Sequence, residues 1–128
     1  MSLATLSSAR EPAWSTAEWT DVCSYDDLAP GTGAAALVDG EQIAIVKTRA
    51  GAVYAIANFD PFSKAFVLAR GIVGDKGGAP RLASPVYKQA FDLRTGACFD
   101  DPSVRVPVYP VTIAGGRILV GRGPAGAP

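Results

Sequence analysis

The chain has 128 residues, 48% hydrophobic and 19% charged, which fits a single domain able to bury its own core. Lys and Arg total 12 and Asp and Glu total 12, and no basic block occurs, so the long-range attraction used by nucleic-acid binders and by proteins of anionic membranes is missing. Histidine is absent, which excludes Ser-His-Asp and Cys-His catalysis and any zinc, haem or iron–sulfur centre ligated through imidazole.

Residues 1–13 lack the basic and apolar blocks of a secretory signal and read as a flexible tail, with a second tail at 123–128 and one domain at 14–122 between them. "STAEW" (15–19) has room for one helical turn. Cys23 and Cys98 are the only thiols, too few for a four-thiolate site, and in a chain without an export signal they are expected to be free and partly buried. The paired acids Asp26–Asp27 are adjacent, so on an extended chain they point to opposite faces and do not converge on a substrate. The longest apolar runs, "AAALV" (34–38) and "AFVLA" (65–69), fall far short of a membrane span.

From Glu41 the apolar pattern takes period two. In "EQIAIVKT" Ile43 and Ile45 share one face while Ala44 and Val46 take the other; "RAG" is a turn, and "AVYAIAN" alternates through Tyr54 and Ile56, which predicts a hairpin. The section 58–90 is different. It is dense in Gly and Pro, with short apolar islands, and long irregular inserts in compact domains usually carry function. "SKAFVLAR" (63–70) could supply a helical turn there. The Gly-rich "GIVGDKGG" (71–78) lacks the spacing of a phosphate-binding loop and reads as a turn. Asp101–Pro102 reads as another turn, and its neighbour Asp100 completes a second adjacent acid pair. Beyond it Val104, Val106 and Val108 share a face, a bend is expected at Pro107–Pro110, and Val111 and Ile113 carry the apolar side afterwards. Gly115–Gly116 then closes a hairpin into "RILVGR". The fold class is all-β: a small barrel or sandwich of antiparallel strands with an inserted two-loop subdomain at about 58–90.

Three stretches, "VYAIANFDPFS", "SPVYKQAFDLRTGACFD" and "VPVYPVTIAGGRILV", together resemble a Rieske-type domain over about residues 18–122. That family's loops read Cys-x-His and Cys-Pro-x-His. In this sequence the four ligand positions fall on Asp60, Phe62, Ser84 and Tyr87, with Pro61 and Pro85 at the matching prolines. More specifically, "FDPFSKAFVLARGIVGD" with "SPVYKQAFDL" resembles the small subunits of NAD(P)H-dependent nitrite reductase, a Rieske-like group in which the ligands are replaced.

The resemblance implies a cytoplasmic, non-catalytic subunit with no metal or cofactor of its own. Its partner would be a large subunit carrying FAD, sirohaem and an iron–sulfur cluster, which reduces nitrite to ammonium in nitrogen assimilation. A [2Fe–2S] centre of this type needs two thiolates and two imidazoles, which carboxylate, phenyl, hydroxyl and phenol do not replace. The rings of Phe62 and Tyr87 are expected to fill the former cluster pocket. Asp60 and Ser84 read as turn caps, with partner recognition at the loop tips as the competing role. Phe62, Arg70, Tyr87 and Lys88 are the candidate partner contacts. Asp75, Lys76 and Arg81 add mixed polarity to the insert. Two alternatives stand beside this reading. One is a Rieske-ferredoxin-like electron carrier. The other is a stand-alone β-barrel interaction module, including a single-strand binder stacking bases on Tyr54, Tyr87 and Phe91, though no basic groove accompanies those rings.

Overall fold

The structure is a computed structural model and describes residues 19–121. Twelve strands follow in chain order: β1 (Trp19–Ser24), β2 (Thr32–Val38), β3 (Glu41–Lys47), β4 (Val53–Ala57), β5 (Phe59–Asp60), β6 (Ala65–Phe66), β7 (Ile72–Lys76), β8 (Ala79–Ala83), β9 (Ala90–Asp92), β10 (Val108–Tyr109), β11 (Val111–Ala114) and β12 (Arg117–Gly121). They form a central sheet β10-β4-β3-β2, an outer sheet β1-β12-β11, a third sheet β7-β8-β9, and the small hairpin β5-β6, all with antiparallel neighbours. Among the described residues no helix is long and apolar enough to cross a membrane. The two tails lie outside the described residues, as does "STAEW" apart from Trp19, which opens β1.

The central sheet separates two cores, and β3 is the reason. Its residues Ile43 to Lys47 are all buried. Ala44 and Val46 face a core with Ile56, Leu68, Val73, Leu82, Phe91 and Val106, which joins the sheet to the insert. Ile43 and Ile45 face the other core, with Leu28, Ala55, Tyr109, Ile118 and Val120, which joins it to the outer sheet. The β3–β4 register sets large against small: Ile43 opposite Ala57, Ala44 opposite Ile56, Ile45 opposite Ala55. A one-residue slip would swap every side chain between the two cores.

Three two-residue turns make the long hairpins. Asp39–Gly40, Gly77–Gly78 and Gly115–Gly116 all have positive φ, the geometry that matches the right-handed twist of paired strands. The first of them, together with β2, is absent from the sequence reading, although "DG" between apolar runs is its signal. Near Pro110 the chain changes sheets: β10 pairs with β4, β11 pairs with β12, and the Gly121 N–H donates to the Pro110 carbonyl at 2.7 Å. That is the expected bend. Val104, Val106 and Val108 pack together on the first core, and Val111 packs on the second. Ile113 does not follow Val111 inward. It is exposed, near the end of β11 by the Gly115–Gly116 turn.

The insert also departs from expectation in detail. "SKAFVLAR" forms no single helical turn: it divides into a turn, β6 and a 3₁₀ turn at Leu68–Arg70, whose Leu68 and Ala69 are buried. The third sheet continues past residue 90 into Asp92, and Cys98 and Arg105 bridge onward to Phe91 and Ala97.

Candidate functional site

Two loops project from the insert, one closed by the Asp60–Ala65 strand pair and one by the Ala83–Ala90 pair. Both begin with a short polar residue followed by proline, which favours an extended first residue and a turn after it. Asp60 caps its own loop: Oδ1 accepts the Phe62 N–H at 2.9 Å and Oδ2 accepts the Ser63 hydroxyl at 2.9 Å. Ser84 does likewise, its Oγ accepting the Val86 N–H at 3.2 Å. The two caps also meet. The Ser84 hydroxyl donates to Asp60 Oδ2 at 2.6 Å, and both residues are fully buried, so this bond ties one loop to the other.

A carboxylate buried without a cation beside it would normally be pushed toward its neutral form. At Asp60 burial does push the pKa up, but the Ser84 hydroxyl, the Phe62 N–H and the Ser63 contacts outweigh it and hold the carboxyl below its ordinary value. Full burial removes both caps from any direct contact with a partner.

The aromatic positions part company. Phe62 is partly buried and packs on the first core, its ring centroid 6.2 Å from that of Phe91. Tyr87 is 61% exposed and fills no pocket. The expectation that both rings occupy the loop interior therefore holds for Phe62 alone. The Asp60–Ser84 bond ties the loops without it, and the Tyr87 phenol keeps its contact with water. Arg70 and Lys88 are exposed. Phe91 is wholly buried in the core, so the stacking platform with Tyr54 and Tyr87 does not form.

Residues 18–121 match the sequence profile of the Rieske-like [2Fe–2S] domain. The nitrite reductase (NADH) small subunit of Salmonella typhimurium is 41% identical over 102 residues, which is 79% of this chain and 94% of that protein. The chain belongs to the Rieske-like family, in its nitrite reductase small-subunit branch. A Mycobacterium tuberculosis crystal structure, provisionally assigned as an NADH-dependent nitrite reductase small subunit, superposes with a TM-score of 0.79 at 52% identity, covering 81% of this chain and 94% of that one. A nitrite reductase NAD(P)H large subunit of Klebsiella oxytoca is 37% identical over 119 residues, 93% of this chain and 12% of that protein.

The wider Rieske-like family name implies a [2Fe–2S] cluster, and the donors in this small-subunit branch member do not fit one. Both Asp60 oxygens are engaged by loop donors, the Ser84 hydroxyl is spent on Asp60, and Phe62 has no donor atom. Tyr87 offers a phenol in place of an imidazole. Among the described residues no group of three or more Cys, Asp or Glu side chains converges as metal ligands. The two cysteines are unpaired: Cys98 is buried in the first core, while Cys23 packs on the second, across the central sheet. Burial and the Asp27 carboxylate push the Cys23 thiol up, away from nucleophilic character. Asp26 and Asp27 are both exposed. The Asp101 carboxylate receives the Ser103 N–H and hydroxyl, which makes it the turn its proline suggested.

Sequence reasoning missed three features, two of them near the site. A cleft of about 410 Å³ lies beside the first loop, lined among others by Phe59, Pro61, Phe66, Pro107 and Tyr109. Lys64, in the first loop, has a left-handed backbone like that of Lys88 in the second. Its signal is the repeated pattern x-Pro-x-x-Lys in "DPFSK" and "SPVYK". Third, Lys47 is buried and gives its ammonium to the carbonyls of Tyr25 at 3.0 Å and Leu28 at 2.9 Å, over the Tyr25 ring. That interaction anchors the turn after β1, far from the loops.

Proposed function

We propose that this chain is the non-catalytic small subunit of a cytoplasmic NAD(P)H-dependent nitrite reductase, which reduces nitrite to ammonium in nitrogen assimilation. It acts by contact with a large subunit that carries FAD, sirohaem and an iron–sulfur cluster. The observation that carries the reading is the Asp60–Ser84 hydrogen bond. Two loops that hold a cluster in other Rieske-like proteins are closed here upon themselves, in a sequence whose close relatives bear the small-subunit name. The Klebsiella large subunit, which contains a stretch similar to nearly all of this chain, supports the idea that a domain of this kind works attached to the large one. Of the candidate contacts, Phe62, Tyr87 and Lys88 lie in the two loops and Arg70 ends the 3₁₀ turn after the first; Tyr87, Arg70 and Lys88 are exposed.

The test is co-expression with the large subunit encoded in the same genome. The two chains are expected to co-purify, and nitrite-dependent NAD(P)H oxidation by the large subunit is expected to fall when this chain is left out. Separate elution together with unchanged turnover would defeat the proposal. The electron-carrier alternative predicts visible absorbance and bound iron in the isolated chain, so the same preparation distinguishes the two.

A further inference from the structure

The two loops are built to one plan. In each, the first residue's side chain accepts the N–H two residues on, and its carbonyl accepts the N–H of the lysine four residues on: Lys64 N to Asp60 O at 2.8 Å, Lys88 N to Ser84 O at 3.1 Å. Both lysines have left-handed backbone, with φ of 61° and 68°. Glycine or asparagine suits that conformation better, so turn formation alone does not account for lysine at both places.

Along the chain, the exposed large side chains nearest the lysines are apolar or basic. Phe66, Val86 and Tyr87 are three of the exposed large hydrophobic residues, and Pro85 and Arg70 are exposed as well. Asp60, the one carboxylate within the loops, is buried and fully engaged. Asp100 sits at the base of the second loop with Oδ2 on the Ala90 N–H at 3.1 Å, and Glu41, in the neighbouring cleft, accepts the Tyr109 hydroxyl at 2.6 Å. Among the described residues Lys64, Arg70 and Lys88 enter no ion pair. By contrast, exposed Asp21, Asp26 and Asp27 lie on or just after β1, across the central sheet.

We propose that the paired lysine-ended loops dock onto an acidic, partly apolar surface of the large reductase subunit, an inference that rests on the small-subunit reading above. Lys64 and Lys88 supply charge, and Val86, Tyr87 and Phe66 supply apolar contact. The argument for this occupant is charge complementarity. A second copy of the chain would set lysine against lysine, which disfavours self-pairing through this face.

The experiment measures association of the purified chain with the large subunit at about 0.05 and 0.5 M salt, for the wild type, for Lys64→Asn with Lys88→Asn, and for Asp26→Asn with Asp27→Asn as control. Asparagine tolerates left-handed backbone, so the lysine variant is expected to melt no lower than the wild type and a loss of binding cannot be misfolding. Wild-type association should slow at high salt. The lysine variant should associate about ten-fold more slowly at low salt and lose most of its salt dependence, while the control does neither. A lysine variant that binds as the wild type does, with the same salt response, overturns the inference. So does a wild-type homodimer that the same lysine substitutions dissolve. If wild-type chain and large subunit fail to bind at either salt, the small-subunit reading itself has failed, and the docking face falls with it.

Discussion

Ser84 Oγ has two tasks within one buried spot: it accepts the Val86 N–H of its own loop and donates to Asp60 in the other. Removing it strips a donor from a buried carboxylate and an acceptor from a backbone amide. Ser84→Ala is therefore expected to destabilise the domain by about 1–3 kcal/mol in urea titration. Asp60 makes the same bond sensitive to acid. Its folded-state pKa lies below the ordinary value, so its contribution is fully present above the unfolded pKa of about 3.9 and is lost as pH falls through the lower folded value. Melting temperature should accordingly drop as pH falls below about 4, and Asp60→Asn should flatten that drop. Asp92, held below its ordinary value chiefly by the Arg94 side chain, contributes a similar but more exposed slope that the variant leaves in place. An equal slope in wild type and Asp60→Asn would mean that Asp60 ionisation is not coupled to folding.

At the scale of elements, the insert is fastened to the C-terminal arm at Gly96. Its N–H donates to the Asp92 carbonyl at 2.7 Å, its carbonyl accepts the Val106 N–H at 2.9 Å, and its φ is 82°. A β-carbon at that position would collide with the Val106 carbonyl. Gly96→Ala is expected to lower stability by more than about 1 kcal/mol, measured as a fall in melting temperature, because both the backbone conformation and the close approach are lost. Some elements were legible from sequence for local reasons. Alternation across Ile43–Val46 and Val53–Ala57 gave the β3–β4 hairpin, and the proline after Asp60 and after Ser84 gave their capping role. Strand β2 was not legible, since "TGAAALV" has small residues where alternation would show. The bond between Asp60 and Ser84 was not legible either. It joins residues 24 apart in sequence through tertiary packing, and no local pattern encodes it. Nor does a local pattern show that this bond ties the loops without the Tyr87 ring, which lies outside.

The whole molecule keeps the framework of a cluster-binding domain while its ligand positions are filled by other chemistry. If the framework is intact, restoring the ligands should restore the site. The variant Asp60→Cys, Phe62→His, Ser84→Cys, Tyr87→His, reconstituted anaerobically with iron and sulfide, is expected to take up a [2Fe–2S] centre visible by absorbance and electron spin resonance. A colourless product from a folded variant would show that the loops have closed too far to readmit it. The two changes at Asp60 and Ser84 also remove the bond that ties the loops, so the restored cluster must replace that tie as well.

Strand β3 is sandwiched, with a core on either face and a paired strand on either edge. Peeling off the outer sheet uncovers only one of its faces, and releasing the insert only the other, so full exposure of β3 requires losing both cores. In deuterated water its amides should thus be the last in the molecule to exchange, at the rate set by complete unfolding, while the loop tips exchange early.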